Sequence, residues 1–130
     1  MIVRKVLNIE DLATKHVAIR RALEKCGVPY IDHVDNAVEA LDIIEAAIED
    51  GKPYDLIVSD MYFPMTKGGM EAQSGMYVIE ELQARGIKVP VIVCSSARMV
   101  IPEIVGCIHF SPRNDLDADM REMIETVRNM

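Results

Sequence analysis

Residues 54–65, YDLIVSDMYFPM, carry the reading that decides the fold. Leu56, Ile57, Val58 and Ser59 form a run apolar enough to be buried on both faces, as a strand inside a parallel sheet is. The run stops at Asp60, and a loop rich in Pro, Gly and polar residues extends from Tyr62 to Gly75. Upstream, Lys5–Ile9 is a second short apolar run, and it ends on the acid pair Glu10-Asp11. Tyr30–Val34 is a weaker strand whose Asp32 and His33 suit a sheet edge. Downstream, Val89–Cys94 leads into Ser95 and Ser96, and Cys107–Phe110 leads into Ser111 and Pro112.

Segments of helical periodicity separate these runs. Ala13–Cys26 places Ile19, Ala22, Leu23 and Cys26 on one face and is closed by Gly27 and Pro29. Asp35 or Asn36 caps a helix with Ala37, Leu41, Ile44 and Ile48 at helical spacing, stopped by Gly51 and Pro53. Met76–Arg85 is helical up to Gly86, and Asp115–Met130 directs Leu116, Met120, Met123, Ile124 and Val127 inward. Ala97–Val105 contains Pro102, so a helix there is short or broken. Five β-α units without a linker predict a single α/β domain over residues 1–130, with a parallel sheet covered by helices on both faces.

Composition narrows the function. The net charge of -7 argues against a nucleic-acid surface, which needs clustered Lys and Arg. The apolar runs are too short to span a bilayer, and Met1–Leu7 is too short and too charged for a signal peptide. Cys26, Cys94 and Cys107 are far apart in apolar stretches, with no C-x-x-C pair, and read as reduced thiols of a cytoplasmic protein. His16, His33 and His109 show no metal-ligand spacing, and Asn8 is a polar residue in an otherwise apolar strand.

In such sheets the functional crevice lies beyond the carboxyl ends of the strands. Glu10, Asp11, Asp60 and Ser95 all stand there, so the fold is expected to gather them at one edge. Three carboxylates in one crevice repel each other, and a hard cation such as Mg²⁺, with oxygen ligands, relieves that repulsion. The cation would neutralise phosphate oxygens and leave Asp60, at the end of the most buried strand, as nucleophile for an aspartyl phosphate. Ser95 would donate a hydrogen bond to a phosphoryl oxygen.

On these residues the chain resembles the receiver domain of two-component response regulators over essentially its whole length. The matching segments are Glu10-Asp11 after KVLNI, YDLIVSDMYFPM around Asp60, and VPVIVCSS ending at Ser95 and Ser96. The resemblance implies a three-layer α/β/α, flavodoxin-like fold with a five-stranded parallel sheet of order 2-1-3-4-5. It implies Mg²⁺ held by Asp11, Asp60 and the backbone carbonyl of Tyr62, with Glu10 assisting through water. It further implies that Asp60 accepts phosphate from a histidine kinase or phosphotransfer protein, with Ser95 as the switch hydroxyl and Ser96 leaving room for the donor.

The chain departs from that family at several places. Ser111 stands before Pro112 where the family carries a Lys, and Ile108 stands where it carries an aromatic residue. Arg113, Arg98 and Lys67 are the candidate replacements for the missing cation. The Thr66–Ser74 stretch is an insertion, either a surface excursion or a lid hinged at Gly68-Gly69. The expected function is a stand-alone receiver that signals by binding another protein, without enzymatic turnover. The alternative is a degenerate receiver that binds its partner regardless of phosphate. A hydrolase is disfavoured because Tyr62 stands where such phosphatases keep a second Asp, and a flavoprotein because no phosphate loop follows the first strand.

Overall fold

The computed structural model describes residues 1–130. Its elements are β1 (Lys5–Ile9), α1 (Ala13–Lys25), β2 (Tyr30–Val34), α2 (Ala37–Glu49), β3 (Leu56–Ser59), β4 (Phe63–Pro64), β5 (Glu71–Ala72), α3 (Ser74–Ala84), β6 (Val91–Ser95), β7 (Gly106–His109) and α4 (Leu116–Arg128). The main sheet is parallel throughout, in the order β2-β1-β3-β6-β7. Counted along the sheet's own strands, that is the expected 2-1-3-4-5.

Burial follows the apolar pattern. Every residue of β3 is buried, as is every residue of β6, while β2 keeps Tyr30, Asp32 and His33 exposed at the edge. One face of the sheet packs on α2 and α3, around Leu7, Ile9, Ile57, Val93 and Phe63. The other packs on α1 and α4, around Val6, Val58, Ile92, Met120 and Ile124. Each fully buried aliphatic chain contributes about 1.5–3 kcal/mol, so these two layers hold the strand ends in place. Asn36 caps α2: its Oδ1 accepts from Glu39 N at 2.9 Å, and its Nδ2 donates to Glu39 Oε2 at 2.6 Å. Ile48 is exposed, and Ala47 takes the buried position on that helix instead.

Two expectations need correction. The chain has four helices around the main sheet, because residues 96–105 form no helix at all. Pro102 removes a donor there, and Met99, Ile101 and Ile104 pack on the sheet from an irregular segment. A groove of about 580 Å³, lined by Arg98, Met99, Val100, Cys107 and His109, lies alongside.

The second correction concerns the stretch after Asp60, which is not an open loop. Phe63–Pro64 pairs antiparallel with Glu71–Ala72, Gly69 N closes the turn on Thr66 O at 2.9 Å, and α3 begins at Ser74. Met65 O also accepts from Val38 N at 3.0 Å, which ties the hairpin to α2. Gly68, at φ 74°, is a turn residue of this arm.

Candidate phosphoacceptor site

The strand ends bring Glu10, Asp11 and Asp60 together, with one carboxylate oxygen of each within 4.8 Å of the others. Pairing of Ile9 with Ser59 sets β1 and β3 level, so the residues that follow them emerge side by side. Asp60 N donates to Ile9 O at 3.0 Å and Met61 N donates to Asp60 Oδ1 at 2.7 Å, which fixes backbone and carboxylate. Glu10 is buried, Asp60 half-buried and Asp11 exposed. Glu10 Oε2 accepts from Leu12 N at 3.3 Å, at the start of α1, where the helix dipole favours negative charge.

Among the acids lies a cation that the sequence reading did not single out. Lys15, on the first turn of α1, is 5 % exposed. Its Nζ stands 2.9 Å from Glu10 Oε1 and 3.3 Å from Asp60 Oδ1, and donates to Cys94 O at 2.8 Å. The Phe110 ring lies 5.3 Å away, within cation–π range. The contact to Glu10 Oε1 is an ion pair without hydrogen-bond alignment, so that buried oxygen has no donor of its own.

The expected replacements, Lys67, Arg98 and Arg113, are all exposed and join no ion pair. The missed signal was spacing: Lys15 shares the helical face of Ile19, Ala22 and Leu23, all buried.

Charge and burial compete here. Burial pushes the Glu10 carboxyl up to about 7, and the attraction of Lys15 recovers only part of that rise. At Lys15 burial acts to lower the ammonium, but Glu10 and then Asp60 outweigh it, so its pKa is raised. The two shifts do not mirror each other because Glu10 is the more enclosed side chain and Asp60 repels it. Lys15 therefore stays charged.

The donor set fits a hard cation: carboxylate oxygens within reach of one another, and a buried Glu10 oxygen without a donor. Asp11 and Asp60 would hold it directly, with Glu10 behind them. Three carboxylates, one ammonium and one dication also balance in formal charge.

Ser95 closes β6 and is buried, and its Oγ accepts from Ala97 N at 3.3 Å. Cys94, which precedes it, carries the carbonyl that holds Lys15. Ser96 is exposed beside it. The side chain of Tyr62 is 40 % exposed on the segment leaving Asp60. Ser111 Oγ accepts from Arg113 N at 3.2 Å and closes its own turn.

A chain of polar contacts starting at Asn8 supports Glu10 from behind. Asn8, fully buried in β1, donates from Nδ2 to Val58 O at 2.9 Å, and its Oδ1 is 2.6 Å from His16 Nδ1. His16 stacks on His33 with ring centroids 3.7 Å apart, and His33 Nε2 is 2.7 Å from Glu10 O. Both side-chain polar atoms of this β1 residue are thus partnered.

No model of a known protein family matches the chain, and no curated protein matches it. Solved structures do. A LuxR-family DNA-binding response regulator from Staphylococcus aureus superposes with a TM-score of 0.73 at 18 % identity, over 98 % of this chain and 100 % of that one. The phosphorylated cyanobacterial phytochrome response regulator RcpA gives 0.71 at 21 % identity, over 95 % and 93 %. The chemotaxis response regulator CheY4 of Vibrio cholerae gives 0.67 at 18 % identity, over 97 % and 99 %. With the sheet order and the acidic strand ends, these likenesses identify the architecture: the chain has the flavodoxin-like fold of response regulator receiver domains.

Proposed function

We propose that the chain is a phosphorelay receiver in which Asp60 is the phosphoacceptor. One observation carries this reading: Asp60 ends the central strand with Glu10 and Asp11 within a few ångströms of its carboxylate. An Asp60 oxygen would attack the phosphorus of a phosphohistidine on a histidine kinase or phosphotransfer protein. The P–O bond forms as the P–N bond breaks, its electron pair stays on the imidazole nitrogen, and the ring leaves neutral because its other nitrogen already carries a proton. Mg²⁺, when bound, shields the charge that gathers on the phosphoryl oxygens. Asp11, Asp60 and the Tyr62 carbonyl would hold it, with Glu10 acting through water. Ser95 would release Ala97 N and donate its hydroxyl to a phosphoryl oxygen.

On this reading the protein acts in the cytoplasm, carries the phosphoryl group rather than turning over a substrate, and passes its state to another protein. It has no role on nucleic acid or membrane. None of its helices is long and apolar enough to cross a membrane.

A second reading, a partner-binding module indifferent to phosphate, is favoured by the absent helix between β6 and β7. The groove there exposes Val100 and Arg98 beside His109. Incubation with Mg²⁺ and acetyl phosphate, followed by intact-mass measurement of wild type and Asp60→Asn, separates the two. A phosphoryl adduct on wild type alone supports the first reading. Its absence from folded, Mg²⁺-titrated protein supports the second.

A further inference from the structure

We infer that Lys15, reaching in from α1, is the cation that pairs with the phosphoryl group on Asp60. The inference rests on Asp60 being the phosphoacceptor and names the group that makes the product tolerable in this site. When an Asp60 oxygen takes a phosphoryl group from acetyl phosphate, a new P–O bond forms and acetate leaves with the electron pair of the old one. The carboxylate gives up its own charge to the mixed anhydride, and the phosphoryl group brings two. The negative charge facing Lys15 therefore grows, in an enclosed place where charge pairing is stronger than in water.

The ammonium is already set for that change. It donates to Cys94 O at 2.8 Å and forms ion pairs with Glu10 Oε1 at 2.9 Å and Asp60 Oδ1 at 3.3 Å. The longest of these contacts is to the group that reacts. The two shorter ones hold the ammonium while its third partner changes from carboxylate to phosphoryl oxygen. Phe110 lies over it, and only 6 % of the side chain is exposed, so little water competes. No other Lys or Arg makes an ion pair with these acids.

A purely structural Lys15 would neutralise Glu10 and do nothing at Asp60. Relocating the charge separates the two roles. Wild type, Lys15→Met and the double variant Lys15→Met/Ser111→Lys are incubated with Mg²⁺ and acetyl phosphate, and adduct formation is followed by intact mass. Lys15→Met should be slower on the order of 10²-fold, as for loss of one preorganised donor. Ser111→Lys, which returns a cation on the segment just after β7, should restore most of the rate. If folded Lys15→Met reacts as fast as wild type, the role of Lys15 is overturned while Asp60 keeps its own. If wild type itself forms no adduct, the Asp60 reading fails and this inference falls with it.

A further measurement needs no variant to fold. In wild type with side-chain-labelled lysine, beryllofluoride, a phosphoryl mimic, should shift the Lys15 Nζ signal. Beryllofluoride that binds without moving that signal overturns the inference.

Discussion

Gly75, the second residue of α3, touches the backbone of Asp60 so closely that a β-carbon on it would stand 2.4 Å from the Asp60 carbonyl oxygen and 2.8 Å from Met61 Cα. Gly75 N also donates to Met61 O at 3.0 Å, and Ser59 Oγ donates to Asp60 O at 2.7 Å. The start of α3 is therefore a wall of the acidic site, and the hairpin before it sets where that wall begins.

Gly75→Ala should accordingly be costly although Ala is the better helix former. The clash is with backbone, which cannot rotate away, so the helix start or the Asp60 segment must shift. Overpacking of this kind costs about 1–3 kcal/mol, against a propensity gain of about 1 kcal/mol. A urea midpoint equal to or above that of wild type would show that the close approach is absent.

How much of this was legible depended on the kind of signal. Leu56–Ser59 and Tyr30–Val34 were found residue for residue, because complete burial and edge polarity each leave a local pattern. Glu10, Asp11, Asp60 and Ser95 were found because strand ends converge in a parallel sheet. The hairpin was hidden, since its strands are two residues each and contain Pro64. Residues 96–105 were expected to hold at most a broken helix and hold none, because tertiary packing of Met99, Ile101 and Ile104 replaces it. Lys15 was overlooked because a lysine among helical residues reads as solvated, even on a buried stripe. Only the acids it meets, from β1 and β3, explain it.

The His16–His33 stack predicts an acid-sensitive stability. Burial, then repulsion from His33 and Arg20, lowers the His16 pKa below its ordinary 6.5. The unfolded chain therefore binds a proton that the folded one refuses. The contribution is complete above about pH 6.5 and is lost as pH falls toward the lowered folded value. His16→Gln keeps a polar partner for Asn8 and removes the titration. The stability difference between wild type and this variant, from urea melts at pH 7.5 and 5, should move against wild type on acidification. A pH-independent difference would contradict the shift.

Asp11 is the one acid of the three without a lysine contact, and it is exposed. It has most to gain from a divalent ion and least to do without one. Asp11→Asn should weaken Mg²⁺ binding by at least about 10–100-fold, the range for losing an outer-shell partner, because Asp11 would touch the ion itself. In chelator its urea midpoint should match or exceed that of wild type, because a like charge is gone. Calorimetric titration with Mg²⁺ reads the first effect. Unchanged affinity would move the cation away from this cluster.

Cys94 offers a test of how tightly the site is closed from below. Its side chain sits in the core between the sheet and α4 while its carbonyl holds Lys15. Burial pushes its thiol up to about 12, and the nearby Lys15 lowers it only in part. Cys26 and Cys107 are also raised by burial, but both are partly exposed. Because the thiolate is the reactive species, iodoacetamide at pH 8 should label Cys26 and Cys107 slowly and leave Cys94 untouched in the native protein. In urea all three should react alike, as peptide mass mapping would show. If Lys15→Met opens the pocket beneath Asp60, Cys94 is the thiol whose protection should fall while the other two keep their rates. Equal labelling of Cys94 in the folded wild type would mean that the floor of the acidic site is open to water.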